Sequence, residues 1–274
     1  MMKKGVIRAK LSPYFEPKVH IPQRVYLSTS VLTVSLLFAA WCSVTYTGLV
    51  EPIFLPSPTQ VIQAGIKMFL AEDLLIDVLA SVKVIFTGFI LAAILAVPLG
   101  MLMGSFKIVE AVIEPITNFI RYLPVSAMIP LLILWVGIGD EEKIAVIFIG
   151  TFFQLILLIA DVSANVQKEL LEISYTLGAT RRHVVTRVLI PAALPGIMDN
   201  LRITMGWAWT YLVVAELVAA DKGLGYVILQ SMRGLFTDKI FVGLFVIGFL
   251  GLVTDQTFKI LHHICLPWSE KEGG

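Results

Sequence analysis

Charge is scarce in this chain. Only 15% of its 274 residues are Asp, Glu, Lys or Arg, against about a quarter in ordinary soluble domains. A large soluble fold is excluded on that ground. Cysteine is nearly absent too. Cys42 and Cys265 stand far apart and neither sits in a Cys/His ligand spacing, so a zinc site and a disulfide framework are both excluded. His262 and His263 fall at the end of the last apolar run and read as interfacial residues rather than metal ligands. No G-x-x-x-x-G-K-S/T phosphate loop occurs, so the chain does not supply its own ATP site. Asp161 and Glu216 are isolated, with no nucleophile–base or paired-metal constellation around them, which counts against an intramembrane enzyme.

What is present is long apolar sequence. The mean hydropathy is +0.87 and 57% of the residues are hydrophobic. Ile85 to Met103 holds no charge, nor does Ile144 to Ala160, and each approaches the roughly 20 residues that cross a hydrocarbon core. The expectation is an all-α, polytopic membrane protein. Six spans are read at Tyr26–Thr47, Val82–Met103, Ala111–Val136, Ile144–Val166, Gly196–Ala219 and Ile240–Leu261. Residues 1–25 form a basic leader with Lys3, Lys4, Arg8, Lys10, Lys18 and Arg24, which places the N-terminus in the cytoplasm. Its length, its Pro13, Pro17 and Pro22 and the lack of a small-residue cleavage site argue against a signal peptide. Alternation then puts residues 48–81, the Asp140 loop and Asp221 to Lys239 outside. It puts the Lys107 turn, residues 167–195 and the 266–274 tail inside. Lys222, Arg233 and Lys239 run against that assignment; Lys168, Arg181, Arg182 and Arg187 agree with it.

Smaller features refine the picture. Leu55-Pro56-Ser57-Pro58 fixes an extended turn, and Val61, Ile62, Ile66, Phe69 and Leu70 suggest an interfacial helix on the outer surface. Gly88 and Pro98-Leu99-Gly100 allow close approach or bending of the second span. The third span is interrupted by Arg121, Leu123-Pro124 and Ile129-Pro130. Asp199 with Arg202, and Asp255 with Lys259, have the spacing of local helical pairs. Lys83, near a span end, can snorkel.

One stretch is out of keeping with the rest. Glu172 to Pro191 reads EISYTLGATRRHVVTRVLIP, a polar, Arg-rich island between two apolar segments. It reads as two short helices. Gly178 is the stop of the first, Thr180 is the N-cap of the second, and Pro191 and Pro195 end the second near Ile190.

The spacing of Glu172, Gly178 and Val188-Leu189-Ile190-Pro191 resembles the cytoplasmic "EAA" loop of ATP-binding-cassette importer permeases. That pattern is Glu-Ala-Ala, three residues, Gly, nine residues, Ile, one residue, Leu-Pro. Here Ile173 and Ser174 replace the alanines, Val188 replaces Ile and Ile190 replaces Leu, with the spacing kept. Leu55-Pro56-Ser57-Pro58, Val97-Pro98-Leu99-Gly100, Arg121 to Ala127, Pro130 to Gly139, Val214-Ala215-Glu216 and Gly223-Leu224-Gly225 are similar to the branch that carries nitrate, sulfonate, taurine and bicarbonate. The resemblance covers roughly residues 26–265, nearly the whole chain.

The resemblance implies a type I ABC-importer permease fold with a cytoplasmic coupling helix, in the bacterial inner membrane. It implies contact with a cytoplasmic ABC ATPase through Glu172, Gly178, Ala179 and the helix Thr180 to Val188, with Arg181, Arg182, Val184 and Arg187 on it. ATP and Mg would be bound by that ATPase, and no cofactor by this chain. A second permease subunit, the same or related, and an external substrate-binding protein are the further partners; membrane lipid surrounds them and no nucleic acid is expected. The bland alternative for the arginines is that they hold the loop inside and touch lipid phosphates.

For a substrate path, Arg121 leads, because an intramembrane charge beside the Leu123-Pro124 break suits a small anion. A structural ion pair is the alternative. Glu216 could neutralise Arg121 or pair with another subunit. Thr204, Met205, Trp207, Ala208, Trp209 and Tyr211 in the fifth span either pack the bundle or line a pore. A self-contained secondary transporter or channel is the rival function; it would need an internal repeat or ion site, and neither is visible in the sequence.

Overall fold

The structure is a computed structural model that describes residues 21–269. Lys3, Lys4, Arg8, Lys10 and Lys18 of the basic leader, and the last residues of the 266–274 tail, lie outside that range. The described residues are helical, with no strand among them. Two compact units are separated near Gln60.

In the first unit, α1 (Gln23–Tyr46) has no buried residue, as befits a helix surrounded by an apolar medium. The Trp41 indole donates to the Pro56 carbonyl at 3.0 Å, which folds the proline turn back towards α1. Ser57 and Gln60 then form a reciprocal capping box. The Ser57 N–H donates to Gln60 Oε1 at 2.8 Å and the Gln60 N–H to Ser57 Oγ at 3.4 Å. With Pro58 as the first helical residue, this starts α2 (Pro58–Ala71).

The second unit is built on α3 (Leu74–Ser105) and α6 (Asp140–Ala164). They lie close because α3 presents glycines where α6 crosses it. A Cβ on Gly88 would come within 2.9 Å of the Ile147 side chain, one on Gly100 within 2.7 Å of the Ile156 carbonyl, and one on Gly104 would overlap the Ala160 carbonyl. In a lipid solvent the hydrophobic effect does not press helices together, so van der Waals fit of this kind carries the association. Around the pair, α9 (Ile190–Ala219) closes two apolar clusters. One joins Val84, Ile85, Phe89 and Ile147 to Met205, Ala208, Trp209 and Leu212. The other joins Ala96, Leu155, Ile156 and Ile159 to Ala193 and Ile197. The helices α10 (Leu224–Arg233) and α11 (Thr237–Cys265) complete the unit. Among the described residues, five helical stretches are long and apolar enough to cross a membrane, or six if one bent pair is counted.

That bent pair corrects the straight third span. The chain forms α4 (Lys107–Ile120) and α5 (Val125–Val136), which meet at 96°. Leu123 precedes Pro124 and is sterically kept out of the helical region, and Pro124 has no N–H to continue the ladder. The second span is also longer than read: α3 begins at Leu74, inside the segment assigned to the outer surface. In α2 the buried positions are Val61, Ala64 and Met68, whereas Ile62, Ile66, Phe69 and Leu70 are exposed.

A second correction concerns the island. Its second helix does not stop at the prolines. It runs as α8 (Arg181–Val184), a π-helical turn (Val185–Leu189) and α9, helical without a break from Arg181 to Val218. Widening the helix just before Pro191 relieves the clash of its ring with the carbonyl of the preceding turn, so the helix absorbs the proline instead of ending.

The glycine contacts give a direct test. Gly104→Val should destabilise the protein by about 1–3 kcal/mol through overpacking, read as a lower thermal midpoint in detergent. Gly248→Val, which meets no atom within 4 Å, should leave the midpoint nearly unchanged.

Candidate functional site

Three features of the second unit can do work: a hairpin at one end, a polar cavity partway along, and a clamp at the other end.

The hairpin is α7 (Lys168–Thr176) folded onto α8. The Gly178 N–H donates to the Tyr175 carbonyl at 2.9 Å and the Ala179 N–H to the Ser174 carbonyl at 3.0 Å. With Gly178 at φ +83°, this is a Schellman stop. Thr180 follows in extended conformation and its hydroxyl accepts from the His183 N–H at 3.4 Å. Four residues, Leu177 to Thr180, thus reverse the chain with most of its backbone groups satisfied. Val184 and Leu189 point inwards, while Glu172, Arg181, Arg182 and Arg187 are exposed. Among the described residues none of these four charges has an ion-pair partner within 4 Å. Behind the hairpin lies a cavity of about 530 Å³, bordered by Lys107, Lys168, Tyr175 and Arg181.

The α4–α5 break opens a second cavity of about 380 Å³. Arg121, Tyr122, Pro124 and Ser126 form its wall at the break, and Gln154, Thr210 and Tyr211 the wall from α6 and α9. Among the described residues, no carboxylate lines it. The Arg121 guanidinium donates to the Tyr122 hydroxyl at 2.9 Å and lies 4.7 Å from that ring's centre. The start of α5 has no side-chain cap, so its positive end is open to the cavity.

At the far end, Glu216 is 1% exposed. It accepts from the Ser81 hydroxyl at 2.6 Å and from the Gly225 N–H at 2.7 Å. Ser81 Oγ accepts from the Leu224 N–H at 2.9 Å, and Asp77 accepts from the Gly223 N–H at 2.7 Å. A Cβ at Gly223 would overlap the Glu216 carboxylate. The clamp ties the α9–α10 connection to α3. Beside it Lys143 is 2% exposed and 3.8 Å from Asp140. The Glu142 carboxylate is fully buried with no hydrogen-bond partner among the described residues.

Residues 96–263 match the family described as "Binding-protein-dependent transport system inner membrane component". The chain belongs to that family. A probable ABC transporter permease protein of Brucella abortus (strain 2308) is 35% identical over 89% of this chain and 97% of its own length. The taurine transport system permease protein TauC of Escherichia coli K12 is 32% identical, covering 88% and 90%. The nitrate import permease protein NrtB of Synechocystis is 26% identical, covering 95% and 94%. In fold, the chain is similar to a subunit of the inward-facing MetNI methionine ABC transporter, with a TM-score of 0.57 and 22% identity over 71% of this chain and 97% of that one. The protein is therefore a multi-span membrane component of an ABC import system, all-α, with the type I importer permease fold.

The permease fold separates the residues singled out for a pathway. Arg121 and Pro124 border the cavity. Thr204 does not; it is fully buried and its hydroxyl donates to the Asn200 carbonyl of its own helix at 2.7 Å. Trp207 is 38% exposed on the outside of the bundle. Trp209 packs in the core and its indole donates to Thr254 at 3.3 Å. Glu216 does not meet Arg121; the clamp holds it. Arg202 reaches beyond its local partner: its Nε lies 3.0 Å from Asp255, which also pairs with Lys259 at 2.7 Å, so the two local pairs merge into one chain of charges across α9 and α11. Lys83 pairs with Asp140 at 3.0 Å. Ser126, Gln154 and Thr210 were missed as cavity residues. Gln154 had a signal, as the single amide in the charge-free run Ile144 to Ala160.

Two outcomes follow. Glu216→Ala leaves the Gly225 and Ser81 donors unpaired and should cost about 3 kcal/mol, with Ser81→Ala costing less, both read by thermal unfolding. At the α2–α3 corner, Lys239 lies 2.6 Å from Glu72 and holds its carboxyl below the usual 4.5. The stability this pair contributes is present above that value and lost as pH falls through the lowered pKa. Wild type and Lys239→Met should differ by about 0.2–1 kcal/mol at neutral pH and converge in acid.

Proposed function

We propose that this chain is the membrane subunit of an ATP-driven importer for a small anion, of the nitrate, sulfonate/taurine or bicarbonate class. It pairs with a second permease subunit in the bacterial inner membrane. An external binding protein delivers the substrate, and a separate cytoplasmic ATPase, holding ATP and Mg, drives the cycle. The N-terminus and the α7–α8 hairpin lie on the cytoplasmic side. The Arg121 cavity lies on the substrate path.

The observation that carries this reading is the hairpin. Glu172, Arg181, Arg182 and Arg187 are exposed on it and, among the described residues, have no ion-pair partner within 4 Å, yet it is held by a Schellman stop and a threonine cap. Because α8 continues into α9 without a break, a push on the hairpin moves a transmembrane helix. That is the mechanical link an ATPase needs. The named relatives, two of them permeases for taurine and nitrate, support the anion class.

A rigid-body linkage of this kind is sensitive to its turn. Gly178 has open space around it, so Gly178→Val acts through its positive φ rather than through a clash, at about 1–2 kcal/mol. Gly178→Val and Glu172→Lys should each reduce ATPase co-purification and ATP-driven uptake at least tenfold, with the thermal midpoint nearly unchanged in Glu172→Lys and lowered in Gly178→Val only by its backbone strain. Normal assembly and transport in both variants would refute the coupling role. Uptake by the isolated chain without ATP would instead favour a self-contained transporter.

A further inference from the structure

A push delivered at the α7–α8 hairpin has to cross residues 185–195 to reach the membrane, and there the backbone ladder is interrupted. Pro191 offers no N–H to the Arg187 carbonyl, and Pro195 offers none to the Pro191 carbonyl. The π-helical turn Val185–Leu189 lies directly before them. Prolines and π-helical turns are where helices bend. The Pro191 carbonyl nevertheless has a donor. The Trp268 indole N–H approaches it at 3.4 Å, from 77 residues further along the chain. A turn at the end of α11 carries Trp268 there. The Leu266 N–H donates to the His262 carbonyl at 3.0 Å, and the Leu266 carbonyl accepts from the Ser269 N–H at 3.1 Å and from its hydroxyl at 2.8 Å. Leu266 is 3% exposed and anchors the turn, whereas Trp268 is 56% exposed. The Trp268 ring therefore adds little apolar burial; its N–H is what it brings.

From this arrangement we propose that Trp268 is a positioning residue for coupling. By occupying the carbonyl that Pro195 leaves open, it makes the C-terminal turn a brace for the start of α9. The proposal rests on the importer reading and deepens it. Two polar ties join α9 to α11 further along, from the Trp209 indole to Thr254 and from Arg202 to Asp255. Trp268 on Pro191 is a third, at the hairpin end. The three run in opposite chain order on the two sides, as antiparallel neighbours require. With the brace in place, a push on the hairpin moves α9 and α11 as one body. Without it, the helix bends at Pro191 and part of the displacement is lost before it reaches the bundle. A tryptophan that only anchored the tail at the membrane surface would act independently of residue 195. The brace does not, because any residue other than proline at 195 supplies the missing N–H from within the helix.

The test is a double-mutant cycle in the full complex reconstituted in liposomes, comparing wild type, Trp268→Phe, Pro195→Ala and the double variant. Two quantities are read: amide hydrogen exchange of residues 185–196 by mass spectrometry, and uptake of labelled taurine or nitrate per ATP hydrolysed. Trp268→Phe keeps a ring and loses the donor. It should speed exchange in that segment at least fivefold and lower uptake per ATP at least threefold. In the Pro195→Ala background the same change should alter neither. Unchanged exchange in Trp268→Phe would overturn the brace, and so would an equal effect in both backgrounds. Faster exchange with uptake per ATP unchanged would overturn its role in coupling. Exchange is measured whether or not the complex transports, so the two readings fail separately. Absent ATP-driven uptake in wild type would sink the importer reading, while exchange still reports on the brace.

Discussion

Every backbone N–H and C=O of this chain that lies among lipid tails must find its partner within the protein. An unsatisfied group costs several kcal/mol there, and that constraint shapes the whole molecule. Long helices without an internal proline meet it without help, which is why α6 and α11 run 25 and 29 residues. Where the ladder is broken, something else must supply the bonds. The α4–α5 break leaves the start of α5 uncapped and opens it to a polar cavity. The α9–α10 connection is satisfied by carboxylates and a serine hydroxyl from α3 and α9. The α7–α8 reversal satisfies itself.

These three solutions divide the labour of the molecule. The clamp around Glu216 is closed: its oxygens are occupied and its glycines leave no space. It holds one end of the bundle together. The hairpin is self-contained within its turn but leaves its outward charges unpaired, so it is rigid and still available to a partner. The cavity at the break is the least satisfied of the three, since the start of α5 has no side-chain cap. The unbroken helix from Arg181 to Val218 connects the hairpin to the cavity wall at Thr210 and Tyr211. Events at one can therefore reach the other through a single rigid element.

How much was legible beforehand depended on whether the signal was local. The all-helical membrane class, the Gly178 stop and the Thr180 cap were legible, because hydropathy, a left-handed turn and an N-cap are set by residues close in sequence. The break at Leu123-Pro124 was legible as an interruption, but its 96° angle was not. The expected stop at Pro191 was wrong because a proline's clash can be relieved by a π-helical turn, and that choice depends on what packs around the helix. Glu216 looked like an isolated charge because Ser81 and Gly225 are brought to it from separate parts of the chain. Asp199, Arg202, Asp255 and Lys259 were readable as two local pairs; only the packing of α9 against α11 joined them.

The sequence by itself determined that this is a helical membrane protein with one polar, Arg-rich hairpin, since hydropathy, charge and turn chemistry act over a few residues. It also carried the spacing by which the family is recognised. The tertiary structure alone decided which polar residues share a space. Arg121, Gln154 and Tyr211 come together because Gly150 lets a ring lie on a neighbouring helix, while Thr204 and Glu216 are turned to internal partners. The reason is geometric: in a bundle, the depth and facing of a side chain depend on helix rotation and break angle, which no short stretch of residues specifies.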